Sequence, residues 1–521
     1  MSTLQDPLTG IAPLYLIAVA FLTAALGLVI RSNKFFKVFA IVNTAIVFAI
    51  SAYIMHKVVD EGIQLYFFGG YPAPLGIAYE IDNLNALLGL LATSIMLLSG
   101  IYSAWYMNFP RTYLYYTLFL TLLAGSLGCL YTGDYFNFFV MLEVLSLSSY
   151  SLVAYFRDSP RSIEAAIRFA FTGIISSSFY LLSAFVAYAS FGTLTMADIA
   201  LKARDLNAVT QFSGGVVGNV AIASAMMIAL ASWTWTFKAA IFPNYFWLPD
   251  AVPEAPTPIS AVFVGVIDLI GVYGAIRMFY TFFGQGSIAL QFRSYTLEIL
   301  QILGAISVFI GVFLLLLQED VKKFIAYSTI SHLGLIFMAL SLDSGEGISA
   351  AILHTISNSF AESLLFYSAG IAIVAVGRSI NTLGVLRKYR VALTGIIIAM
   401  LNLIGVPPLL GFWSKYLIFK AFLDAGKIYG VVILVLATGI SAIGYFKMLF
   451  STLKPVEKIR EDPRLRNSML ADITIALCVV ILIAIGALYM LSPSTRKFIN
   501  EIGYNIIEGY KAYYAFLSSG S

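Results

Sequence analysis

The sequence predicts an all-α polytopic membrane protein with about fourteen transmembrane helices. Of its 521 residues, 60% are hydrophobic and only 11% are charged, which is too apolar for a soluble protein of ordinary composition. Apolar runs of about 20 residues recur along the whole chain, and each is long enough to cross a hydrocarbon core as a helix. These runs leave no room for a sizeable soluble domain.

The positions of the helices follow from the apolar runs and the polar breaks between them. The predicted spans lie at 11–30, 35–55, 84–106, 112–131, 135–155, 164–191, 219–247, 257–281, 296–317, 324–341, 348–376, 391–420, 428–452 and 471–492. The first run has no basic region before it. We therefore predict that it is a membrane span rather than a cleaved signal peptide.

Two of the long runs contain prolines and are predicted to be broken helices. Pro243 lies in the seventh span, and Pro407 and Pro408 lie in the twelfth. A proline inside a helix removes one hydrogen bond and clashes with the preceding turn. The proline-rich segment PDAVPEAPTP, residues 249–258, is predicted to be a rigid turn that leads into the eighth span.

The chain around these prolines suggests an internal repeat. Each break is followed by a Phe-Trp pair, at 246–247 and 412–413, and each broken span is the fourth of five consecutive spans. Proline-interrupted helices at corresponding positions are typical of transporters built from inverted repeats. The predicted parts are helices 1–3 in 1–111, a first repeat of helices 4–8 in 112–281, a second repeat of helices 9–13 in 296–452, and the last helix with a short tail in 471–521.

Lysine and arginine are distributed unequally between the two ends of the predicted helices. Most of those in connecting segments lie in odd-numbered loops, where Arg31, Lys322 and Lys323 are examples. An excess of basic residues in short loops marks the cytoplasmic side of a membrane. We therefore predict a multi-pass protein of the cell membrane with both termini outside.

The cysteine content argues against a redox centre within this chain. Cys129 and Cys478 are the only cysteines, and they lie far apart in apolar runs, so neither a disulfide framework nor a Cys-based metal site is expected. We predict no cofactor, no metal and no nucleic acid partner. Any redox reaction would therefore belong to a partner.

A carboxylate and an ammonium group lie deep inside apolar runs. Glu143 is in FFVMLEVLSLSSYSLV, where an unpaired charge costs at least ~2.5 kcal/mol. Glu143 either carries a proton or pairs with a charged group. The alternative is a carboxylate whose hydrogen bonds come from serines of a neighbouring helix and that serves only packing. Lys238 is its chemical partner, because a buried lysine, unlike arginine, can give up its proton. Alternatively, the aliphatic part of the Lys238 side chain lies along the apolar helix and its ammonium group reaches the membrane–water interface.

Further titratable side chains follow in later spans. His332 and His354 lie in neighbouring spans, and histidine titrates near neutral pH, which suits a proton relay; a membrane histidine can also be only a hydrogen-bonding core residue. Lys415 follows the second break, either as another group of the same path or as the basic end of a helix. Asp268 and Glu362 complete the series of buried titratable residues.

Four segments resemble one protein family in their order and spacing. They are FKAAIFPNYFWLPDAVPEAPTPISA, MLEVLSLSSYSLV, EDVKKFIAYSTISHLG and GVPPLLGFWSKY. Over roughly residues 65–455 the chain resembles the antiporter-like membrane subunits shared by respiratory complex I, the Mrp cation/proton antiporters and membrane-bound hydrogenase and sulfur-reductase complexes. The resemblance implies two inverted five-helix repeats with broken helices 7 and 12. It also implies that Glu143 and Lys238 form a pair, and that His332 and Lys415 continue the path.

The chain departs from the family pattern at the centre of this path. Leu269, beside Asp268, stands where the family usually has lysine or histidine. His354 is kept, but Asn358 and Glu362 replace a second histidine and a lysine. Either acids and water replace the basic relay, or the subunit has lost pumping and acts as a spacer. The short tail after the last span resembles that of the D-type subunit of Mrp antiporters.

The leading hypothesis is an ion-translocating membrane subunit of a multisubunit respiratory-type complex. It would move protons, or exchange them for sodium ions, in response to a partner's redox reaction. Glu143 and Lys238 would form the switching pair, His332 and His354 would pass protons onward, and Lys415 would serve the second half of the path. The expected partners are other membrane subunits, the lipid bilayer and the transported ions. The alternative is a non-pumping structural spacer that is derived from such an antiporter.

Overall fold

The computed structural model describes residues 6–109, 111–210, 213–456 and 459–517. In chain order the α-helices are α1 (Pro7–Val29), α2 (Asn33–Glu61), α3 (Asn83–Tyr106), α4 (Thr112–Tyr131), α5 (Tyr135–Val153), α6 (Pro160–Phe191), α7 (Met196–Lys202), α8 (Val220–Lys238), α9 (Trp247–Glu254), α10 (Thr257–Val262), α11 (Asp268–Ile276), α12 (Leu290–Leu316), α13 (Val321–Leu340), α14 (Gly345–Ala375), α15 (Arg390–Ile404), α16 (Leu410–Asp424), α17 (Ile428–Ser451), α18 (Pro463–Arg466), α19 (Met469–Leu491), α20 (Pro493–Ile507) and α21 (Tyr510–Tyr514).

Thirteen helices within these described residues are long and apolar enough to cross a membrane. One of them is the continuous helix Thr257–Phe282, in which α10 and α11 alternate with the π-helical segments Phe263–Ile267 and Arg277–Phe282. The predicted twelfth span, 391–420, consists instead of the two shorter helices α15 and α16. The prediction of an all-α polytopic membrane protein is confirmed.

A small β-hairpin was not predicted from the sequence. Strand β1 (Gln64–Phe67) pairs antiparallel with strand β2 (Ala78–Ile81) in the connection between α2 and α3. Asp82 follows β2 and caps α3, since its carboxylate accepts hydrogen bonds from the backbone N–H groups of Leu84 and Asn85. The hairpin therefore passes directly into a membrane helix, and its second strand is fully buried.

The helix Thr257–Phe282, α13 and α14 form the centre of the bundle. In their most apolar stretches, 100%, 89% and 94% of the residues respectively are buried within the protein. The corresponding value is 33% for α1, α2, α17 and α19, which lie at the periphery. The peripheral helices therefore offer their apolar side chains to lipid or to neighbouring subunits, whereas polar side chains of the central helices can be satisfied only within the protein.

In the seventh predicted span the helix α8 ends at Lys238, and the next helix, α9, begins at Trp247. The predicted turn at 249–258 was wrong over its first part, because α9 includes Pro249 and Pro253. Pro249 lies in the first turn of α9, where the backbone N–H has no intrahelical partner to lose. Only the short link between α9 and α10, around Ala255, is extended.

The twelfth predicted span is divided at Gly405. This residue has a φ of 93°, in the left-handed region that favours glycine, and it ends α15. The N–H of Gly405 and that of Val406 both donate to the carbonyl of Leu401. The chain then resumes as α16 at Leu410, with the prolines of this segment in the gap between the helices.

The tail after the last predicted span contains the helix α20, which the sequence analysis did not identify. It lies against the start of α14, where the Ser349 hydroxyl donates to the Ile499 carbonyl at 3.2 Å. Gly503 permits this approach, since a Cβ there would meet the Gly345 carbonyl oxygen at 2.3 Å. The tail is short, but it is folded onto one end of the bundle.

Candidate functional site

Lys238 is the last residue of α8, and its ammonium group is buried among helices. Its exposed fraction is 1%, and Nζ donates to the hydroxyl of Ser146 on α5 at 2.7 Å. It is therefore not a side chain that reaches the membrane interface. The ammonium group has a neutral hydroxyl as its hydrogen-bond partner, which holds its position without neutralising its charge.

Glu143 lies one helical turn before Ser146 on the same helix. Its side chain is half-buried, and within the described residues its buried Oε1 accepts no hydrogen bond. The carboxylate and the Lys238 ammonium interact electrostatically, although they form no ion pair within 4.0 Å in the described part of the chain. Lys238 thus binds the serine that follows Glu143 by one helical turn, and among the described residues one Glu143 oxygen has no hydrogen-bond partner.

The break after Lys238 is closed by hydrogen bonds inside the protein. Ala240 has a positive φ of 48°, which turns the chain away from the helix axis. The carbonyl of Phe237 then accepts from the Trp247 indole N–H at 2.7 Å, and the Phe242 N–H donates to the Ser307 hydroxyl at 2.8 Å. The backbone groups released by the break are therefore satisfied by neighbouring elements rather than exposed to lipid.

Asp268 is the most isolated of the predicted site residues. It is 2% exposed, and neither carboxylate oxygen accepts a hydrogen bond from any residue that the structure describes. Its charge interacts with that of Glu362 on α14. A buried carboxylate without a hydrogen bond is costly unless it is protonated or bound by water or an ion. Asp268 is therefore a position at which a proton can be held.

Two glycines fix the helix of Asp268 between the two halves of the site. A Cβ at Gly271 would meet the backbone nitrogen of Ala239, the residue after Lys238, at 2.6 Å. A Cβ at Gly265 would meet the hydroxyl oxygen of Ser363, the residue after Glu362, at 2.8 Å. Close contacts of this kind place the Asp268 helix directly between the end of α8 and the middle of α14.

Glu362 begins a continuous chain of hydrogen bonds. It accepts from Ser328 at 2.7 Å and also from Thr329, both on α13. The Ser328 hydroxyl lies 2.6 Å from the phenol oxygen of Tyr445 on α17. That phenol oxygen lies 3.4 Å from Nε2 of His332. Glu362 is thus joined to the first predicted histidine, His332, through two hydroxyl groups.

The hydrogen-bond chain that begins at Glu362 continues through both histidines towards the second break. Nδ1 of His332 lies 3.0 Å from Nε2 of His354, and Nδ1 of His354 lies 2.9 Å from the hydroxyl of Ser414. Each ring uses both nitrogens, so a histidine can receive a proton at one nitrogen and release one from the other. Ser414 immediately precedes Lys415 on α16.

Lys415 lies on α16, and its ammonium group reaches back to the second break. Nζ donates to the carbonyl of Leu403 at 2.7 Å and lies 3.3 Å from both the Ile404 carbonyl and the Thr438 hydroxyl. These carbonyls belong to the last turn of α15, where a helix has no N–H groups left to bind them. Since Gly405 ends the helix there, the break itself creates the ammonium site.

Lys322 was assigned wrongly to a cytoplasmic loop. Asp320 caps α13, so the helix begins at Val321 and carries the lysine into the protein, where it is 2% exposed. Its Nζ donates to the carbonyl of Ala255 at 2.7 Å and to the hydroxyl of Ser260 at 3.0 Å. The lysine therefore anchors the extended link between α9 and α10.

Three hydroxyl residues of the site were also missed. Ser328 could have been found, since it precedes His332 by one helical turn on α13. Ser414 adjoins Lys415, but serine is too common in membrane helices for this to be a signal. Tyr445 joins α13 to α17 across a long sequence separation, which no spacing rule detects. In the described segments, no group of three or more His, Cys, Asp or Glu residues is arranged to hold a metal.

Comparisons with known proteins identify the family of the chain. The family model described as NADH:quinone oxidoreductase/Mrp antiporter, transmembrane, matches residues 132–441. The N-type subunit of the NADH-quinone oxidoreductase of Desulforudis audaxviator is 30% identical over 436 residues, which cover 82% of this chain and 83% of that protein. The D-type subunit of the Na(+)/H(+) antiporter of Bacillus subtilis is 27% identical over 456 residues, covering 87% and 89% respectively.

A solved structure extends the similarity to nearly the whole chain. A subunit of the membrane-bound sulfane sulfur reductase, an archaeal respiratory membrane complex, superimposes with a TM-score of 0.86 at 27% identity and covers 98% of this chain and 99% of its own. The resemblance found in the sequence is confirmed. This chain belongs to the NADH:quinone oxidoreductase/Mrp antiporter transmembrane family, the antiporter-like subunits of ion-translocating membrane complexes.

Proposed function

We propose that this chain moves protons across the cell membrane as one subunit of a multisubunit respiratory complex. The observation that carries the proposal is the chain of hydrogen bonds from Glu362 to Ser414, beside Lys415. Its members are hydroxyl, imidazole and carboxyl groups, all of which exchange protons. A packing role alone does not require side chains from α13, α14, α16 and α17 to be joined in one line.

The first half of the path would begin at Glu143 and Lys238. Because Glu143 is half-buried and has an unpaired oxygen, a charge on a neighbouring subunit can attract or repel it. Moving the carboxylate relative to Ser146 would change how strongly Lys238 holds its proton. A proton released from Lys238 would pass towards Asp268, whose helix lies against the end of α8.

The second half would use the acids in place of the family's basic groups. Asp268 and Glu362 would share a proton, and Glu362 would pass it through the hydroxyl groups to His332 and His354. Lys415 would receive the charge at the second break. Asp268 belongs to the first predicted repeat, residues 112–281, and Glu362 to the second, residues 296–452, so the proton would cross from one repeat to the other between them. Both chain termini would lie on the outer side of the membrane.

The proposal also covers which ion is transported and which kind of reaction the partner subunits carry out. Protons suit the chain of hydroxyl and imidazole groups, and exchange for sodium would follow the activity named for the B. subtilis relative. A redox partner would follow the reductase complex whose subunit is similar over nearly its whole length. The chain itself would contribute ion movement, with no cofactor of its own.

A spacer function is the second candidate, and one observation favours it. Leu269 and Asn358 replace basic residues of the family pattern, and the Asn358 side-chain oxygen is buried without a hydrogen-bond partner among the described residues. In the described structure no side-chain hydrogen bond joins Lys238 to Asp268. A subunit in which this gap stays closed to water would keep its fold and lose its transport.

The test is proton flux in vesicles that contain the purified whole complex. Glu143→Gln, Lys238→Ala and Lys415→Ala should each abolish dye-reported proton movement while the complex remains assembled. Glu164→Gln and Lys420→Ala are matched controls, because both side chains are exposed on the surface of the chain, away from the buried path, and should leave flux unchanged. Normal flux in all three variants would refute the proposal and favour the spacer. Flux that requires sodium on the opposite side would identify exchange.

A further inference from the structure

A cavity with both apolar and polar walls lies at the end of the bundle that carries the C-terminal tail. Its volume is about 210 Å³, and Asp82, Asn83, Arg277, Asn505 and Tyr513 are among its lining residues. Within the described residues, the buried Oδ1 of Asn83 and Nη2 of Arg277 have no hydrogen-bond partner. A cavity of this size with an unused acceptor and an unused donor has both the room and the polar groups to hold several waters.

Glu80, on strand β2, is buried next to this cavity. It is 1% exposed, and neither of its oxygens has a hydrogen bond of normal length and angle in the described part of the chain, although the Tyr513 hydroxyl lies close enough to lower the pKa of Glu80. It packs against the turn before α5, since a Cβ at Gly133 would meet its Oε2 at 3.3 Å. No proposed step of the central path uses this carboxyl group.

The charges around Glu80 leave it without a cation of its own. Arg277 donates to Asp82 at 2.8 Å, so these two side chains neutralise each other. The charged and titratable groups that face Glu80 are Arg277, Asp82 and Tyr513. Burial raises the pKa of Glu80 well above its usual value. Two carboxyl groups, Glu80 and Asp82, therefore face one guanidinium group, Arg277. An acid without a cation of its own is suited to bind and release a proton.

Tyr513, in the tail helix α21, stands between the cavity and Glu80. Its ring lines the cavity and lies 5.0 Å from the guanidinium carbon of Arg277. Its hydroxyl lies 3.8 Å from the sulfur of Met196, whose N–H donates to the carbonyl of Gly133 at 2.8 Å. Since Gly133 also packs against Glu80, the hydroxyl end of Tyr513 is on the Glu80 side of the ring.

We propose that Glu80 is a proton-binding site reached from the outer side of the membrane through this cavity, and that Tyr513 closes the passage between them. The proposal rests on the proposed proton translocation and adds the outer access that such a path requires. On the inner side, Asn85 Nδ2 donates to the backbone carbonyl of Glu80 at 2.8 Å and lies 3.5 Å from the hydroxyl of Tyr273. Tyr273 belongs to the same helix as Asp268, so the outer site packs against the helix that carries one of the central acids.

Chemical labelling of the whole complex tests the site independently of transport. A hydrophobic carbodiimide reacts with protonated carboxyl groups, and the modified peptides are identified by mass spectrometry. Glu80 should be labelled at neutral pH, less so as the pH rises, and faster in Tyr513→Ala than in the wild type. Glu61, an exposed carboxylate at the end of α2, is the matched control and should not be labelled. Absence of Glu80 labelling in both proteins at every pH would overturn the proposal.

Proton flux in vesicles gives the second measurement. Glu80→Gln should slow flux by ~10-fold, whereas Glu61→Gln should leave it unchanged. If Lys238→Ala abolishes flux and Glu80→Gln does not change it, the outer site is wrong and the proposed function stands. If the wild type moves no protons, the proposed function fails, and the labelling still decides whether Glu80 binds a proton. Protection of Glu80 by sodium at constant pH would overturn the assignment of the ion.

Discussion

The hydroxyl group of Tyr445 is the best single place to cut the central chain. Tyr445→Phe keeps the ring and removes the oxygen that lies 2.6 Å from Ser328 Oγ and 3.4 Å from His332 Nε2. No other side-chain hydrogen bond in the described structure links Ser328 to His332. The substitution therefore separates the acids from the histidines while the packing of α17 on α13 is retained.

The expected effects on stability and on transport differ in size. Ser328 keeps its hydrogen bond to Glu362 at 2.7 Å, but the buried Nε2 of His332 loses its phenol partner, so the substitution should cost ~1–3 kcal/mol. Proton flux should fall ~10-fold or more, since each additional 1.4 kcal/mol on the transfer barrier slows it tenfold. The assay is dye-reported proton uptake by vesicles, with the melting temperature of the same complex measured in parallel.

Tyr367→Phe is the matched control for this experiment. The Tyr367 hydroxyl is also buried and lies 2.7 Å from a serine hydroxyl, that of Ser99, but it is outside the chain. This variant should lose the same stability and keep full flux. Equal proton flux in the Tyr445 and Tyr367 variants would refute the assignment of the hydrogen bonds from Glu362 to Ser414 as the proton path.

Three further predictions concern packing and charge. Gly271→Ala should destabilise the complex by ~1–3 kcal/mol in thermal unfolding, because its Cβ would meet the backbone at the end of α8 at 2.6 Å, whereas Gly439→Ala, with no atom within 4 Å, should be neutral. Arg293→Met should cost ~3–5 kcal/mol, because it leaves a carboxylate without its buried guanidinium partner, whereas Lys497→Ala, in an exposed ion pair, should cost less than ~1 kcal/mol. Glu80→Gln should have the same melting temperature as the wild type below the ordinary glutamate pKa of 4.5, and a higher melting temperature than the wild type at higher pH. The reason is that burial raises the pKa of Glu80 in the folded state, so the wild type loses stability as the pH rises through that pKa. A constant difference in melting temperature across the pH range would contradict this.

The membrane helices could be predicted because hydrocarbon imposes a strict rule on them. Every backbone group in lipid must be bonded within the chain, so length and hydropathy determine a span almost alone. The same rule does not reach the connections. The hairpin of β1 and β2 and the tail helix α20 lie outside the apolar runs, and α9 tolerates two prolines in a segment too short to lose many hydrogen bonds.

The charged members of the site could be predicted for a related reason. An ionisable group such as Lys238 or Glu362 is expensive inside an apolar run, so its presence already indicates a buried polar function. Hydroxyl residues carry no such signal, because Ser328 can bond to its own helix and be satisfied anywhere. Whether Tyr445 faces α13 depends on how the helices pack, and that information is spread over the whole chain.

The two halves of the site differ in a way that bears on control. From Glu362 to Ser414 the hydrogen bonds are continuous, so a proton that reaches Glu362 meets no further gap before the second break. Between Lys238 and Asp268 the described residues supply no bonded link, and Asp268 is unpaired. A proton path is controlled where it is interrupted, because only there can a change in charge or hydration open or close it. The boundary between α8 and the Asp268 helix, tightened by Gly271, is therefore where a signal from Glu143 would act.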